Sequence, residues 1–358
     1  MLVIRPIQDS DLEDLYVMAQ GAGKGLTSLP ANRELLAKKI RRATESFNQR
    51  SAPEAGMYLF ALEDTVLKKC VGISGIEARV GLEEVFYNYR LSTTVNASRE
   101  LGVHVRTPTL NLNNDMTDTT EICSLLLSDT HRKGGNGLLL SRSRFMYLDD
   151  FGRHFSEKVF AEMRGVSDAN GQSPLWDALG RRFFDMEFSE ADYLSGVGNK
   201  SFIAELMPKF PIYLPLLPAD ARAVIGCVHD NTAPALRMLQ AEGFNFNGQV
   251  DIFDGGPVVE AFIHNVRTVR ESLNRHVLIS RKSVDLDVPS EERVMVSNRS
   301  FRDFRVTTLP MHCINPDTVS VPAEVAEALQ VTSGDVVRLA PLKDGGHSPI
   351  QSMASRSA

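Results

Sequence analysis

Arg132-x-x-Gly135-x-Gly137 is the tightest grouping of chemistry-bearing residues in the chain. Glycines at those positions let the backbone turn sharply and leave N–H groups uncovered where a helix begins. That end of a helix carries partial positive charge and suits a pyrophosphate, to which Arg132 and Lys133 add countercharge. Arg132, Lys133, Gly135, Asn136 and Gly137 are therefore the expected phosphate-binding residues. His229, followed by Asp230 and Asn231, is the candidate for proton transfer, because imidazole titrates near neutral pH. Cys123, on a buried strand, could be cast as a covalent nucleophile, but a buried cysteine is usually a small hydrophobe.

Gly21-Ala-Gly-Lys-Gly-Leu-Thr27 looks superficially like a nucleotide P-loop. It lacks Gly-Lys-Ser/Thr, and a helix rather than a strand precedes it, so that reading fails. Either a plain helix–helix turn or, with Thr27-Ser-Leu-Pro30, a wall of an acceptor site fits this stretch.

The elements that must hold these residues can be read in order. Leu2–Pro6 reads as a strand, and Asp9 or Ser10 can cap a helix bearing Leu12, Leu15 and Met18. A second helix runs from about Asn32 to Phe47, and Tyr58–Asp64 with Cys70–Glu77 reads as a hairpin. Glu121–Ser128 is too apolar for an exposed face and should lie centrally in a sheet. It leads through the glycine loop into a helix from Leu138 to about Phe151. Val159–Val166 and Ala223–Val228 read as further strands, each followed by a polar loop and a helix. Pro174, Leu179 and Phe184 recur 60 residues later as Pro234, Leu239 and Phe244, an echo that suggests two related halves. Beyond Ser272, Glu292–Ser297, Phe304–Leu309 and Gly334–Leu339 read as strands around a helix at Val321–Leu329.

Composition bounds the rest. At 358 residues the chain is expected to hold two or three domains, and 43% hydrophobic with 23% charged residues is globular. Net charge is −6 with no basic block, so nucleic acid is not an expected partner. No apolar run is long enough to span a membrane, and the first residues carry no secretory signal pattern. Cys70, Cys123, Cys227 and Cys313 form no CxxC pair, so neither a metal nor a disulfide framework is expected, and a cytoplasmic location is.

The order strand, two helices, hairpin, buried strand, Arg-x-x-Gly-x-Gly, helix, strand, helix resembles the GNAT acyltransferase layout, whose pyrophosphate loop reads Gln/Arg-x-x-Gly-x-Gly/Ala. More specifically, seven segments resemble the arginine N-succinyltransferase family: Gly25–Asn32, Tyr87-Asn-Tyr-Arg90, Ala161-Glu-Met-Arg-Gly165, Ser173-Pro-Leu-Trp176, Phe202–Pro208, Val224–His229 and Asp251-Ile-Phe-Asp-Gly-Gly-Pro257. The resemblance spans about residues 1 to 343. It implies a mixed α/β (α+β) GNAT-like acyl-CoA N-acyltransferase fold in two tandem halves. These would be 1–190 with the phosphate loop and 191–275 with His229, followed by a small β-rich module at 285–343 and a disordered tail at 344–358.

The same resemblance implies succinyl transfer from succinyl-CoA to the α-amino group of L-arginine, as the first step of arginine catabolism, with no permanently bound cofactor. Ornithine or another amine, another acyl-CoA, and a role within a heteromeric arginine/ornithine enzyme are the alternatives. A homo-oligomer or a heteromer with a homologous subunit is implied as the assembly. Relatives of the α type lack the phosphate loop, so this chain groups with the single-subunit or β type. The family assigns the proton donor to the place of His229 and a succinyl-CoA contact to Leu125. Backbone groups from Cys123 to Leu127 would face the pantetheine arm. Glu83, Glu121, Glu162, Asp251 and Asp254 are available for a guanidinium, and Arg90 for the succinyl carboxylate. His131 departs from the aromatic residue of many relatives.

Overall fold

The structure, a computed structural model, describes residues 1–22, 28–168, 171–196, 201–280 and 284–343. The glycine-rich stretch at 23–27 and the tail from residue 344 lie outside the described residues, and with them the expectations for the helix–helix loop and the tail.

The first half of the chain contributes β1 (Leu2–Pro6), α1 (Leu12–Gly21), α2 (Arg33–Phe47), β2 (Met57–Asp64) and β3 (Lys69–Glu77), then β4 (Asn88–Ser98), β5 (Val103–Asn113), β6 (Thr120–Leu127), α3 (Asn136–Asp150) and β7 (Lys158–Glu162). After a π-helical turn at Trp176–Gly180 come α4 (Arg181–Phe184), α5 (Phe188–Gly196), α6 (Ser201–Leu206), β8 (Ile212–Tyr213), α7 (Ala219–Val224), α8 (Ala233–Ala241), β9 (Asn245–Val250), β10 (Pro257–Phe262) and α9 (Arg267–Arg270). The remainder forms β11 (Leu273–Ser280), β12 (Arg293–Ser297), β13 (Val306–Pro310), β14 (Thr318–Pro322), α10 (Ala323–Leu329) and β15 (Val336–Pro341).

Local rules account for several of these. Asn32 caps α2 by accepting the Leu35 N–H at 3.2 Å, and Leu36, Ile40, Ala43 and Phe47 recur on its buried face. β2 is buried on both faces from Met57 to Leu62, as a strand covered by helices on either side must be.

All strands join one twisted sheet in the order β14-β11-β15-β12-β13-β1-β2-β3-β6-β7-β10-β9-β4-β5-β8. The stretch β1-β2-β3-β6-β7-β10-β9 is the GNAT-like core. The strands of residues 1–190 and those that follow share this sheet, since β10 pairs antiparallel with β7 from Val258 opposite Glu162 to Phe262 opposite Lys158. A strand does not form at Ala223–Val228. Helix α7 ends at Val224, Gly226 takes a positive φ of 75°, and only Val228 bridges Gly165, so the segment is spent on a turn toward α8. The repeated Pro, Leu and Phe therefore share a helix context without a matching strand.

The β4–β5 hairpin was not legible. Its polar Ser92-Thr-Thr-Val-Asn-Ala-Ser98 run is mostly exposed, so it lacks the apolar alternation by which a strand is read. β14 was missed because it is short, and β11 because Asn274, Arg275 and His276 interrupt its apolar pattern.

The β-rich module has its own core, built on Val277, Val294, Leu309, Val321, Leu329 and Leu339. It is clamped to α3 by charge: Arg338 and Arg299 both reach Asp150 at 2.8 Å, and Arg338 also pairs with Asp149. Tyr147 stacks on Phe301 and donates its hydroxyl to the Phe301 carbonyl at 3.2 Å.

Candidate active site

The site begins where β6 and β7 part. These parallel strands pair only at Thr120 with Val159 and Glu121 with Phe160, and beyond that they splay into a groove. β6 also bulges: its register against β3 slips between Ile73 and Gly75, and Ser124 adopts a φ of +55°. Alternate residues of β6, namely Glu121, Cys123, Leu125 and Leu127, are only half-buried. The apolar composition of this strand predicts cover on both faces. One face is instead left open along the groove, and that explains the apolar residues there.

At the groove's outer end β6 runs into the glycine loop. Gly134 and Gly135 take φ of 59° and 82°, and Gly135 stands at the start of α3 in the left-handed region. The Asn136 N–H is spent on the Lys133 carbonyl at 3.1 Å. Gly137 and Leu138, next in the first turn, have no intrahelical acceptor in reach, so their N–H groups open to the outside. A Cβ on Gly137 would meet nothing within 4 Å. A Cβ on Gly135 would come to 3.1 Å from Ser290 and 3.2 Å from Leu342, so the loop's back rests on the β-rich module. His131 ties the loop inward, with Nδ1 2.9 Å from the Ser128 hydroxyl and Nε2 3.4 Å from Asp64. Arg132 lies exposed, donating to the Leu127 carbonyl at 3.1 Å and pairing with Asp129 at 3.0 Å.

A cavity of about 700 Å³ runs inward from Asp129 and Arg132, past Leu125, to Cys123, Glu121 and Glu162. Arg144 and Arg164 line it as well, together with Asp230, Asn231 and Thr232. A second cavity of about 380 Å³ adjoins it at β6. Ser28, Glu121, Cys123, Ser124, Glu162, Asp251 and Phe253 line both, so the two meet at the bulge. The second cavity is acidic. Glu54, Glu77, Glu83 and Glu84 join Glu121, Glu162 and Asp251 there, against Lys39, Arg42 and Arg79. Arg42 pairs with Glu77 at 3.1 Å and Arg79 with Asp118 at 2.7 Å, which leaves Lys39 as the cation without an ion-pair partner among the described residues.

The carboxylates are held by backbone. Asp251 accepts from the Phe253 and Asp254 N–H groups at 2.7 and 2.8 Å, and Asp254 accepts from Gly165 at 2.6 Å and Gly256 at 2.8 Å. A side chain on Gly256 would collide with the Met163 carbonyl, so the Asp-Gly-Gly run exists to let this turn close on the end of β7. Burial, helped by the charge of Asp251, holds the Asp254 carboxyl well above the usual carboxylate range. Glu162 accepts from the Asn88 amide at 2.7 Å.

His229 is not itself a lining residue. It stands directly behind Asp230, Asn231 and Thr232, which are, and its N–H donates to the Arg164 carbonyl at 2.9 Å. Its Nδ1 accepts the Asn231 N–H at 3.1 Å, so the neutral ring carries its proton on Nε2. Desolvation and the Arg164 charge lower its pKa, against a smaller opposing pull from Asp230. Burial, with Glu121 and Glu77 nearby, pushes the Cys123 thiol up to about 12, which disfavours the thiolate a nucleophile needs.

Of the residues expected from sequence, Leu125 and Arg132 line the first cavity, and Glu121, Glu162, Asp251, Asp254 and Glu83 line one or both. Leu127 packs toward the core and serves through its carbonyl, and Lys133 is exposed on the loop. Asn136 turns its amide to the His131 carbonyl at 3.0 Å and so stiffens the loop from within. Arg90 does not reach the site. It sits on the hairpin, paired with Asp115 at 2.7 Å, and lines neither cavity. Lys39, Arg144 and Arg164 were missed. A signal existed for Arg144, since Ser141-Arg-Ser-Arg144 interrupts a helix otherwise built of core residues.

Comparison with known proteins follows the same outline. The family model described as arginine N-succinyltransferase beta subunit matches residues 2–268, and that of its C-terminal domain matches 275–341. The chain is 47% identical over 341 residues to "Arginine N-succinyltransferase subunit beta" of Pseudomonas aeruginosa, covering 95% of this chain and 98% of that one. It is 45% identical over 344 residues to "Arginine N-succinyltransferase" of Yersinia pestis, covering 96% and 98%. The solved structure of arginine/ornithine succinyltransferase subunit AI from Pseudomonas aeruginosa superposes with a TM-score of 0.87 at 34% identity, covering 96% of this chain and 99% of that one.

Proposed function

The chain belongs to the arginine N-succinyltransferase family and is an acyltransferase acting with an acyl-CoA; from that premise we propose that it moves the succinyl group of succinyl-CoA to the α-amino group of L-arginine, giving CoA and N2-succinyl-L-arginine. The observation that carries this reading is the meeting of two unlike cavities at one strand bulge. One leads from a phosphate-type loop, and the other is lined by carboxylates suited to a cationic amino acid.

In this reading the pyrophosphate lies on Gly134–Leu138, with Arg132 and Lys133 in the countercharge and Gly135, Asn136 and Gly137 shaping the loop. The pantetheine follows β6 past Leu127 and Leu125, so that the thioester reaches the bulge, where a backbone N–H polarises its carbonyl. The guanidinium enters the acidic cavity and Lys39 faces the acceptor's carboxylate. The α-ammonium gives up one proton to the carboxylates at the junction, and its lone pair attacks the thioester carbon. The tetrahedral intermediate loses the CoA sulfur, the nitrogen loses its second proton, and the sulfur gains one, so each turnover releases one net proton. His229 offers Nε2–H as a hydrogen bond to the departing sulfur, and the proton the sulfur gains is the nitrogen's second one, passed on through solvent. With Nδ1 already engaged, the ring is better suited to that role than to taking the amine's proton.

Both relatives from Pseudomonas aeruginosa are named as subunits, which supports an assembly with a second copy or a homologous chain. Ornithine is the second acceptor to consider, since the solved relative's title includes it and a carboxylate-lined cavity receives a shorter cation too. No described helix is long and apolar enough to cross a membrane, and we place the protein in the cytoplasm with its acyl-CoA. We also propose that residues 2–262, which build one GNAT-like sheet, act as a single catalytic unit carrying both the loop and His229.

A thiol-release assay crossing succinyl-CoA and acetyl-CoA with arginine, ornithine and lysine tests the proposal. Turnover with succinyl-CoA and arginine is expected; its absence with both arginine and ornithine would overturn the reading.

A further inference from the structure

Arg144 lies on α3, two turns inward from the phosphate loop, and is 2% exposed. Its Nε donates to the Ser141 carbonyl at 3.0 Å and Nη2 to the Ser141 hydroxyl at 3.0 Å. Nη1 reaches across to the Cys123 carbonyl at 3.2 Å and toward the Gly75 carbonyl at 3.5 Å. It thus spans β6 and β3 at the bulge and lines the first cavity there. No carboxylate pairs with it among the described residues.

That is not the habit of buried arginines in this protein. Arg142, two residues away and 3% exposed, pairs with Glu242 at 2.7 Å, and Arg267 pairs with the same carboxylate at 2.7 Å. Burial pulls the Arg144 guanidinium down to about 10, so it stays charged at neutral pH without a resident counterion. A buried charge left unpaired is costly, and a wall of a ligand cavity is where a ligand can supply the missing partner.

We propose that Arg144 receives the terminal carboxylate of the succinyl group and so selects the acyl donor. This rests on the reading of the first cavity as the acyl-CoA site. Three C–C bonds, a reach of about 4 Å, separate the thioester carbonyl carbon from that carboxylate carbon. A thioester at the bulge would therefore bring its carboxylate within range of a guanidinium already bonded to the Cys123 carbonyl. Of the other cations, Arg132 pairs with Asp129 and Lys39 lies in the acidic cavity; Arg164 also lacks a carboxylate among the described residues, but it is only half-buried and donates to the Ser167 hydroxyl at 2.8 Å, so it carries no comparable burial cost. An uncharged acyl group leaves Arg144 unpaired, so discrimination arises against donors that lack the carboxylate.

The test uses the full chain and two donors of equal carbon count, succinyl-CoA and butyryl-CoA. Dissociation constants are measured calorimetrically without acceptor, and kcat/KM with saturating arginine. Wild type is expected to prefer succinyl-CoA by about 100-fold or more. Arg144→Gln should reduce that preference at least 30-fold through succinyl-CoA alone, with the Kd of CoA itself changed less than threefold. Arg144→Lys, which keeps the charge and protects against misfolding, should lose five- to tenfold on succinyl-CoA only. An equal fall with both donors would make Arg144 a support for the bulge and overturn the proposal. So would a preference abolished by Lys39→Met and unchanged by Arg144→Gln. Because binding is read without acceptor, these outcomes stand even if wild type fails to succinylate arginine, a failure that would fall on the proposed function instead.

Discussion

Two helices begin beside the same groove and use their N-terminal amides in opposite ways. At α3 the loop through Gly134 and Gly135 leaves the Gly137 and Leu138 N–H groups open, with nothing of the protein in front of Gly137. At α8 the leading amides are consumed internally. Asn231 donates to His229 Nδ1, and Thr232 and Ala233 donate to the His229 carbonyl at 2.8 and 3.1 Å. One helix start thus leaves its amides open, as the proposed phosphate site requires, while the other turns an amide onto a ring nitrogen of His229 and so fixes its tautomer. What decides between them is whether an acceptor of the protein, here the carbonyl and ring nitrogen of His229, occupies the amides first.

The comparison is broken most directly at α8. His229→Ala is expected to lower kcat by about 100-fold or more while the Kd of CoA stays within about twofold. A kcat near wild type would make His229 a capping residue and nothing more. At α3 the converse should hold. Gly137→Glu places a negative charge at a helix start, where it favours the helix, but in the space a pyrophosphate would take. CoA affinity should fall about 10- to 100-fold with no loss of melting temperature, and unchanged affinity would remove the phosphate assignment. Gly135→Ala separates support from binding. Its φ of 82° and its contacts with Ser290 and Leu342 predict a loss of about 1–3 kcal/mol in stability, read by denaturant unfolding. A neutral outcome there would mean that the loop does not rest on the β-rich module.

The smallest effect is in pH dependence. The pKa of His229 is lowered in the folded protein, so its neutral form dominates above 6.5 and is lost as pH falls through the lowered value. Protonation at Nδ1 expels the Asn231 N–H and unseats the ring that presents Nε2–H, so an acid limb in kcat/KM is expected below pH 6.5, and it should be missing from the residual activity of His229→Ala. A limb at the same place in both proteins would assign it to another group.

Much of the phosphate side was legible because it is local. Glycine spacing, the strand before it and the helix after it are all contained in about thirty residues, so Arg132, Gly135 and Gly137 could be named from spacing alone. His229, proposed from sequence, was given the wrong support. Ala223–Val228 has strand-like composition, yet Gly226 and the end of α7 make it a turn, and the histidine leads a helix instead of ending a strand.

The acceptor side was not legible in the same sense. Five carboxylates were candidates, and the structure gathers Glu121, Glu162 and Asp251 at the junction from three different segments of the sheet. No spacing rule connects residues 121, 162 and 251. The cation for the succinyl carboxylate was sought at Arg90, which a conspicuous Tyr-Asn-Tyr-Arg motif advertises but which faces Asp115 on an outlying hairpin. Arg144 is hidden by its setting, because a charged residue in an apolar helix reveals its purpose only when its neighbours are known.

By itself, then, the sequence determined the reaction class, the glycine loop that opens α3 and the order of the core elements. Each of these is written in short-range backbone preference and in the ordered segments shared with a family. The tertiary structure alone decided which side chains meet: the splay of β6 from β7, the bulge at Ser124, the pairing of β7 with β10, and the isolation of Arg144 from any carboxylate among the described residues. These depend on strand register and burial between residues far apart in the chain, and such terms have no local signature.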